Sequence, residues 1–219
     1  MTIRLQMRKR RLPYDAGVAR KHLGKRDPVM GGLVRACGPL ELEARGTPYQ
    51  SLLRAILYQQ LAGPAASTIE RRLLALYGGR VPEPEQVLAT SPEAMRAAGV
   101  SRQKASYLHS LAEHAQNGAL EYRSLARLQD DAVIARVTEV RGIGRWTAEM
   151  LLMFCLGRPD VLPVDDLGIR KGMQLAYGLR KPPDAQRMLR IAEPWRPYRS
   201  AGAWYLWRST DVITADVSL

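Results

Sequence analysis

The chain has 219 residues, of which 46% are hydrophobic, and its formal net charge is +12 at neutral pH. This length suffices for one substantial core or two small lobes, and no apolar run reaches the ~18 residues of a transmembrane helix. Its two cysteines, Cys37 and Cys155, cannot make a disulfide framework or complete a four-cysteine zinc or iron–sulfur site. The positive charge favours a polyanionic partner.

Residues 1–46 form a basic N-terminal segment, for which we expect short strands at most. Residues 1–26 hold nine basic side chains against one acidic one, a pattern typical of a solvated arm that could also strengthen contacts with phosphates. Apolar alternation in TIRLQM and in LELEA predicts the two short strands. The segment lacks an apolar signal-peptide core, so the expected compartment is the cytoplasm, at the bacterial nucleoid.

From residue 47 onward, apolar residues recur at helical spacing and predict one helix after another. Thr47, Pro48 and Gln50 supply an N-cap, a first-turn proline and a capping-box partner, so a helix is expected to begin here. Ser101 is a candidate N-cap for a later helix. Lys104, in the first turn of that helix, is expected either to be solvated or to contact a phosphate.

The most informative stretch is VRGIGRWTAEMLLMFCLGRPDVLPVDDLGIRK, at residues 140–171. A short helix predicted at residues 131–139 leads into the turn Gly142-Ile143-Gly144, and an apolar helix follows. Glycine permits positive φ and close approach of another molecule, and the N-terminus of the next helix attracts anions. This order is typical of a helix-hairpin-helix, which holds a nucleic-acid backbone without reading its sequence.

The stretch resembles the helix-hairpin-helix (HhH-GPD) DNA glycosylases, and GIGRWTAEMLL followed by LPVDD is most similar to the AlkA-type 3-methyladenine DNA glycosylase II branch. In that family a catalytic aspartate follows the hairpin at a nearly fixed span, and Asp166 lies 24 residues beyond Gly142. The segment EPWRPYRS, at residues 193–200, is similar to that branch's W-x-P-W-R-S signature. The resemblance covers about residues 47–210.

The fold implied by this resemblance is all-α, with two helical lobes and a cleft between them. Residues 47–219 would form the glycosylase domain, and residues 1–46 at most a small β remnant. The implied partner is double-stranded DNA carrying alkylated bases, and we expect the protein to be a monomer that does not bind membranes.

The chemistry implied by the resemblance is hydrolysis of the N-glycosidic bond of a flipped-out base. Bases such as 3-methyladenine and 7-methylguanine are cationic, so they leave readily and attract electron-rich rings. A carboxylate beside the sugar can stabilise an oxocarbenium-like transition state and orient water. Asp166 is expected to do this, and Asp165 to cap the following helix. The alternative is that both aspartates serve only as caps.

The resemblance also assigns a base pocket. Trp207 is expected to stack on the base, and Trp146, Met150 and Leu167 to line the pocket. Ordinary core packing is the alternative for Trp207 and for two other tryptophans near the C-terminus, Trp195 and Trp204. Bifunctional relatives carry a lysine nucleophile at the position of Trp146, so no Schiff base is expected and the enzyme should be monofunctional.

The remaining assignments concern the DNA backbone and the gap left by the flipped base. Gln60 or Leu61 is expected to fill that gap as a wedge, with a core position as the alternative for Leu61. The residues expected to bind phosphate are Gly142, Gly144, Arg145 and Thr147. The backbone carbonyls of Thr138, Val140 and Ile143 are expected to bind a structural sodium or potassium ion. No catalytic cofactor and no iron–sulfur cluster is expected.

Two other functions compete with this hypothesis. The first is a non-catalytic helix-hairpin-helix protein that only binds distorted DNA. The second is a glycosylase for uracil or oxidised bases. Uracil would favour a narrow polar pocket, whereas Met150, Leu167 and Trp207 indicate an open apolar one.

Overall fold

The computed structural model describes residues 7–216, with residues 211–216 described by their backbone alone. The described chain is mainly helical, and the prediction of an all-α fold is confirmed. In chain order the elements are β1 (Lys9–Arg10), α1 (Ala16–Arg26), α2 (Pro28–Cys37), β2 (Ala44–Arg45), α3 (Pro48–Tyr58), α4 (Gly63–Ala75), α5 (Pro84–Ala89), α6 (Pro92–Ala97), α7 (Arg102–Gln116), α8 (Tyr122–Arg127), α9 (Asp130–Thr138), α10 (Arg145–Leu151), a π-helical turn (Leu152–Leu156), α11 (Leu167–Ala176), α12 (Ala185–Ile191), a 3-10 turn (Glu193–Trp195) and α13 (Arg199–Asp216). Among these helices, none is long and apolar enough to cross a membrane.

The N-terminal segment differs from its prediction. The first predicted strand lies outside the described residues except for Met7, and the second is confined to β2, which pairs with β1 in a two-stranded sheet. Helices α1 and α2 were not predicted. Their starts are set by capping aspartates, since Asp15 accepts a hydrogen bond from Val18 N at 2.9 Å and Asp27 from Val29 N at 2.9 Å. Basic residues obscure the helical pattern of α1, which buries only two side chains.

The chain divides into two compact units. The first contains residues 7–10 and 45–156, and the second contains residues 11–44 and the described residues from 157 onward. This division does not follow the expected boundary after residue 46, because α1 and α2 belong with the C-terminal helices.

In the first unit, α3 begins as predicted with a capping box. Gln50 N donates to Thr47 Oγ1 at 3.2 Å, and Thr47 N donates to the Gln50 side chain at 3.1 Å. The apolar face of α3 is buried and packs on α4, α7 and α10. Burial of this face provides most of the stabilisation, because each fully buried leucine or isoleucine contributes about 1.5–3 kcal/mol.

In the second unit, α11 packs closely along α13. Gly172 permits this approach, since a Cβ there would collide with the Leu206 carbonyl. The core of this unit also contains the carboxylate of Asp27, which accepts hydrogen bonds from Tyr177 Oη and, at 2.9 Å, from Trp195 Nε1. Burial, together with this carboxylate, raises the pKa of Tyr177. Trp195 is fully buried, so for this tryptophan the core-packing alternative is the correct one.

Candidate nucleic-acid interface and active site

The predicted hairpin is present between α9 and α10. Gly142 has φ +83°, and a Cβ at this position would also collide with the ring of Tyr107, so only glycine fits here. The turn is closed by Ile143 N, which donates to Val140 O at 3.0 Å. Gly144 is the N-cap of α10, and a Cβ there would meet no atom within 4 Å. The fold thus requires glycine at position 142. At position 144, by contrast, a side chain would point into open space.

The predicted ion site would use backbone oxygens of the same hairpin. Thr138 is the last residue of α9, where carbonyls have no intrahelical N–H partner, and the carbonyls of Val140 and Ile143 belong to the turn that follows. Such hard oxygen donors suit an alkali cation better than a soft metal. Across residues 7–210, no cluster of three or more His, Cys, Asp or Glu side chains is placed to hold a metal ion.

The side chains predicted to contact phosphate differ in their exposure. Arg145 is half-exposed, and its Nε donates to Glu149 Oε1 at 3.1 Å while its Nη2 lies 3.9 Å from the exposed carboxylate of Asp131. Thr147 is buried. Gly142, Gly144 and Arg145 are therefore the exposed parts of the predicted phosphate site, and Arg145 is also paired with the buried acid Glu149.

The predicted wedge lies in the turn after α3. Gln60 is exposed and adopts φ +55°, a left-handed conformation that residues with a Cβ rarely occupy. Leu61 is 39% exposed, so the interpretation of this residue as core is wrong. Both candidate wedge residues therefore project from the first unit.

Two side chains that the sequence analysis did not assign to this turn hold it in place. Gln59 Nε2 donates to the Gly142 carbonyl at 2.9 Å, and Lys104 Nζ donates to the Leu57 carbonyl at 2.6 Å. The expectation that Lys104 is solvated was wrong, because its ammonium group caps the C-terminus of α3; the phosphate contact stays a prediction. Burial lowers the pKa of Lys104. In the sequence, the only feature that pointed to a role for Gln59 was the unusual pair Gln59-Gln60 at a helix end.

The predicted catalytic carboxylate, Asp166, lies in the second unit and is 8% exposed. Its Oδ1 accepts two hydrogen bonds, one from Ile169 N at 2.8 Å and one from Trp207 Nε1 at 2.8 Å. Asp166 is therefore itself the N-cap of α11. The expectation that Asp165 caps this helix is wrong, since Asp165 is exposed and α11 begins one residue later than that role requires.

Gly168 was missed by sequence reasoning, although it lies beside both of these side chains. A Cβ here would lie 2.9 Å from Trp207 Cδ1 and 3.1 Å from Asp166 Oδ1. The absence of a side chain thus allows the indole to reach the carboxylate. The available signal was a glycine in the first turn of a helix, where it costs about 0.5–1 kcal/mol relative to alanine.

The other predicted pocket residues are accessible to different degrees. Trp146 is 46% exposed and Met150 half-buried on α10, and Leu167, at the start of α11, is 77% exposed. Trp146 and Leu167 are thus accessible to a ligand. Trp204 is half-buried, and its ring lies nearly perpendicular to that of Tyr205, with ring centroids 5.0 Å apart.

A helical fold with a glycine hairpin and an aspartate at the family span defines a helix-hairpin-helix DNA glycosylase. The chain belongs to the HhH-GPD superfamily of base excision DNA repair proteins, whose sequence profile matches residues 53–197.

Individual relatives support the same assignment. DNA-3-methyladenine glycosylase 1 of Schizosaccharomyces pombe is 39% identical over 194 residues, which cover 86% of this chain and 85% of the relative. A solved S. pombe 3-methyladenine DNA glycosylase in complex with abasic DNA has a TM-score of 0.79 at 38% identity, covering 89% of this chain and 97% of that one. The Bacillus halodurans DNA-3-methyladenine glycosidase structure has a TM-score of 0.83 at 34% identity, covering 96% and 95% of the two chains.

Proposed function

We propose that the protein is a monofunctional DNA glycosylase that removes alkylated bases such as 3-methyladenine and 7-methylguanine from double-stranded DNA. The observation that carries this proposal is the buried Asp166 carboxylate, which two N–H groups orient beside the indole of Trp207. A member of this superfamily with an oriented carboxylate next to an aromatic ring has the groups needed to expel a cationic base.

The chemical role of Asp166 follows from its charge and its restraint. As the glycosidic bond breaks, positive charge develops on the sugar, and a fixed carboxylate stabilises that charge without having to reorganise. The same group can orient or deprotonate the attacking water. The leaving base already carries a positive charge, so no general acid is required. Oδ1 is restrained by Ile169 N and Trp207 Nε1, which fixes the direction in which the carboxylate points.

The pocket residues fit the proposed substrate class. The indole of Trp207 offers a π face to a cationic purine, an attraction of about 0.5–2 kcal/mol. Trp146, Met150 and Leu167 are proposed to complete an apolar lining. Trp146 occupies the position of the lysine nucleophile of bifunctional relatives, so the proposed reaction ends at base release.

The hairpin is proposed to hold the DNA backbone. Backbone N–H groups around Gly142 and Gly144 would bind a phosphate, and a sodium or potassium ion on the carbonyls of Thr138, Val140 and Ile143 would support the turn. Replacing potassium by tetramethylammonium at constant ionic strength should then weaken binding of undamaged duplex. Unchanged affinity would argue against the ion.

The setting proposed for this activity is a monomer acting on the chromosome in a reducing cytoplasm. Neither Cys37 nor the buried Cys155 forms a disulfide, which is compatible with that compartment.

The direct experiment is incubation with methylated duplex DNA and chemical identification of the released bases. Release of 3-methyladenine and 7-methylguanine is expected, with a purified Asp166→Asn variant as the control for contaminating activity. Tight, salt-sensitive binding without release would favour the non-catalytic alternative. Release of only uracil or oxidised purines would change the substrate class.

A further inference from the structure

The turn that carries the candidate wedge is held in an unfavourable backbone conformation. Gln60 has φ +55°, which brings Cβ of an L-residue close to the following carbonyl. Such conformations persist where the surrounding structure fixes them, and they cluster at functional sites. The neighbours of this turn should therefore include residues whose role is to hold it.

Three elements of the first unit hold the end of α3. Tyr58 Oη donates to Glu70 Oε2 on α4 at 3.0 Å. Lys104 Nζ, on α7, donates to the Leu57 carbonyl at 2.6 Å, where the helix would otherwise leave its last carbonyls unpaired. A cation at a helix C-terminus also interacts favourably with the helix dipole.

The third restraint comes from the hairpin. Gln59 Nε2 donates to the carbonyl of Gly142 at 2.9 Å. The ring of Tyr107 lies against Gly142. Tyr107 is one turn beyond Lys104 on α7 and accepts a hydrogen bond from Gln103 Nε2 at 2.6 Å. The first turns of α7 thus support both the wedge turn and the hairpin, and the Gln59 amide links the two directly.

We propose that Gln59 is a positioning residue that couples the wedge to the hairpin, with Lys104 holding the end of α3. When the hairpin binds a phosphate, the wedge then lies at a fixed distance from the bound strand. This inference rests on the proposed glycosylase function, and it adds an explanation of how the base pair is opened. The coupling acts on extrusion of the base, and neither general DNA affinity nor the hydrolytic step depends on it.

Gln59→Met tests the coupling, because methionine is of similar length, is neutral and cannot donate to the Gly142 carbonyl. The matched control is Gln116→Met, which removes a glutamine donor to Glu85 at the far end of α7. Single-turnover excision of 7-methylguanine is measured in two duplexes, one with the base normally paired and one with it opposite an abasic-site analogue. An unpaired base is cheaper to extrude, so its excision depends less on the wedge.

We expect Gln59→Met to lose excision of the paired base selectively. Gln59→Met should excise the paired base about fivefold more slowly, the factor that one hydrogen bond corresponds to. It should excise the unpaired base, and bind undamaged duplex, within about twofold of the unaltered protein and of Gln116→Met. Lys104→Met should show the same selectivity between the two duplexes in excision. Equal losses on both duplexes, or no loss on the paired one, would overturn the coupling, and melting curves identify any variant that fails to fold.

A second readout separates this proposal from the proposed function. 2-Aminopurine placed beside an abasic-site analogue becomes fluorescent when a wedge disrupts the stack, and this signal needs no excision. The unaltered protein should raise the fluorescence, and Gln59→Met should raise it less at saturating protein. If the unaltered protein excises nothing, the glycosylase proposal fails while this comparison still decides the coupling. Equal fluorescence in both proteins would overturn it.

Discussion

At the scale of single residues, the proposed chemistry depends on how Asp166 is held. One carboxylate oxygen accepts from both Ile169 N and Trp207 Nε1, so the same atom caps α11 and anchors the indole. An alanine here would remove the charge and also a helix cap worth about 1 kcal/mol. Asparagine keeps the cap, which makes it the appropriate substitution for separating chemistry from folding.

Gly168→Ala should impair the chemistry without harming the fold. The new methyl group would lie 2.9 Å from Trp207 Cδ1, so the indole must move away from Asp166. Displacements of this size near a reacting centre can cost ten- to a hundredfold in rate, so we expect a loss of about tenfold or more in single-turnover excision. The helix propensity of alanine offsets part of the strain. A normal rate, with an unchanged melting temperature, would show that the indole position is unimportant.

Trp207→Phe and Trp207→Ala should separate two roles of the indole. Phenylalanine keeps a π face but removes the Nε1–H donor to Asp166, whereas alanine removes both. We expect excision of 7-methylguanine to fall with phenylalanine and to fall further with alanine, while affinity for undamaged duplex stays unchanged. The comparison is repeated on a neutral damaged base. Equal losses on neutral and cationic bases would remove cation–π attraction from the account.

The sequence was informative at this scale only where the relevant signal is local. Asp166 was identified from its distance along the chain to the hairpin. The choice of Asp165 as the cap was wrong, because the cap can be identified only when the first residue of α11 is known to within one position. Gly168 was missed because the side chain that makes it necessary, Trp207, comes from a distant part of the chain. Gln59 was missed for the same reason, since its partner Gly142 lies 83 residues away.

At the scale of elements, the hairpin was predictable because every signal for it lies within a few residues. Gly142 must adopt positive φ, and apolar spacing marks the helices on either side. The helices α1 and α2 were not predictable in the same way. Basic residues dominate α1, and the two helices pack on each other and on α13, which comes from the opposite end of the chain.

Gly144→Asn tests whether the hairpin binds a phosphate. Asparagine is as good an N-cap as any residue, so α10 should be preserved, and the space around Gly144 accommodates a side chain. That side chain would occupy the space in which a DNA backbone approaches. Affinity should fall by about tenfold or more for damaged and undamaged duplex alike, because phosphate contacts carry no sequence information. Reduced excision with intact affinity for undamaged DNA would contradict the phosphate role.

At the scale of the whole molecule, the charge and the site have different roles. A net charge of +12 provides attraction to any duplex, and this attraction weakens with salt. In the proposed function, selection of a damaged base comes from the wedge, the aromatic side chains and Asp166. Binding and excision should therefore respond differently to substitution, and every comparison of affinities needs a fixed salt concentration.

The most direct test of the central claim is single-turnover excision of 7-methylguanine by Asp166→Asn and Asp165→Asn, with binding measured at the same salt. Asp166→Asn should keep its fold and its affinity for a duplex containing an abasic-site analogue, and should lose most excision. Asp165→Asn should be nearly unaffected, because Asp165 is exposed and does not cap α11. A nearly normal rate for Asp166→Asn would contradict the account, and an inactive Asp165→Asn beside it would transfer the catalytic role to Asp165.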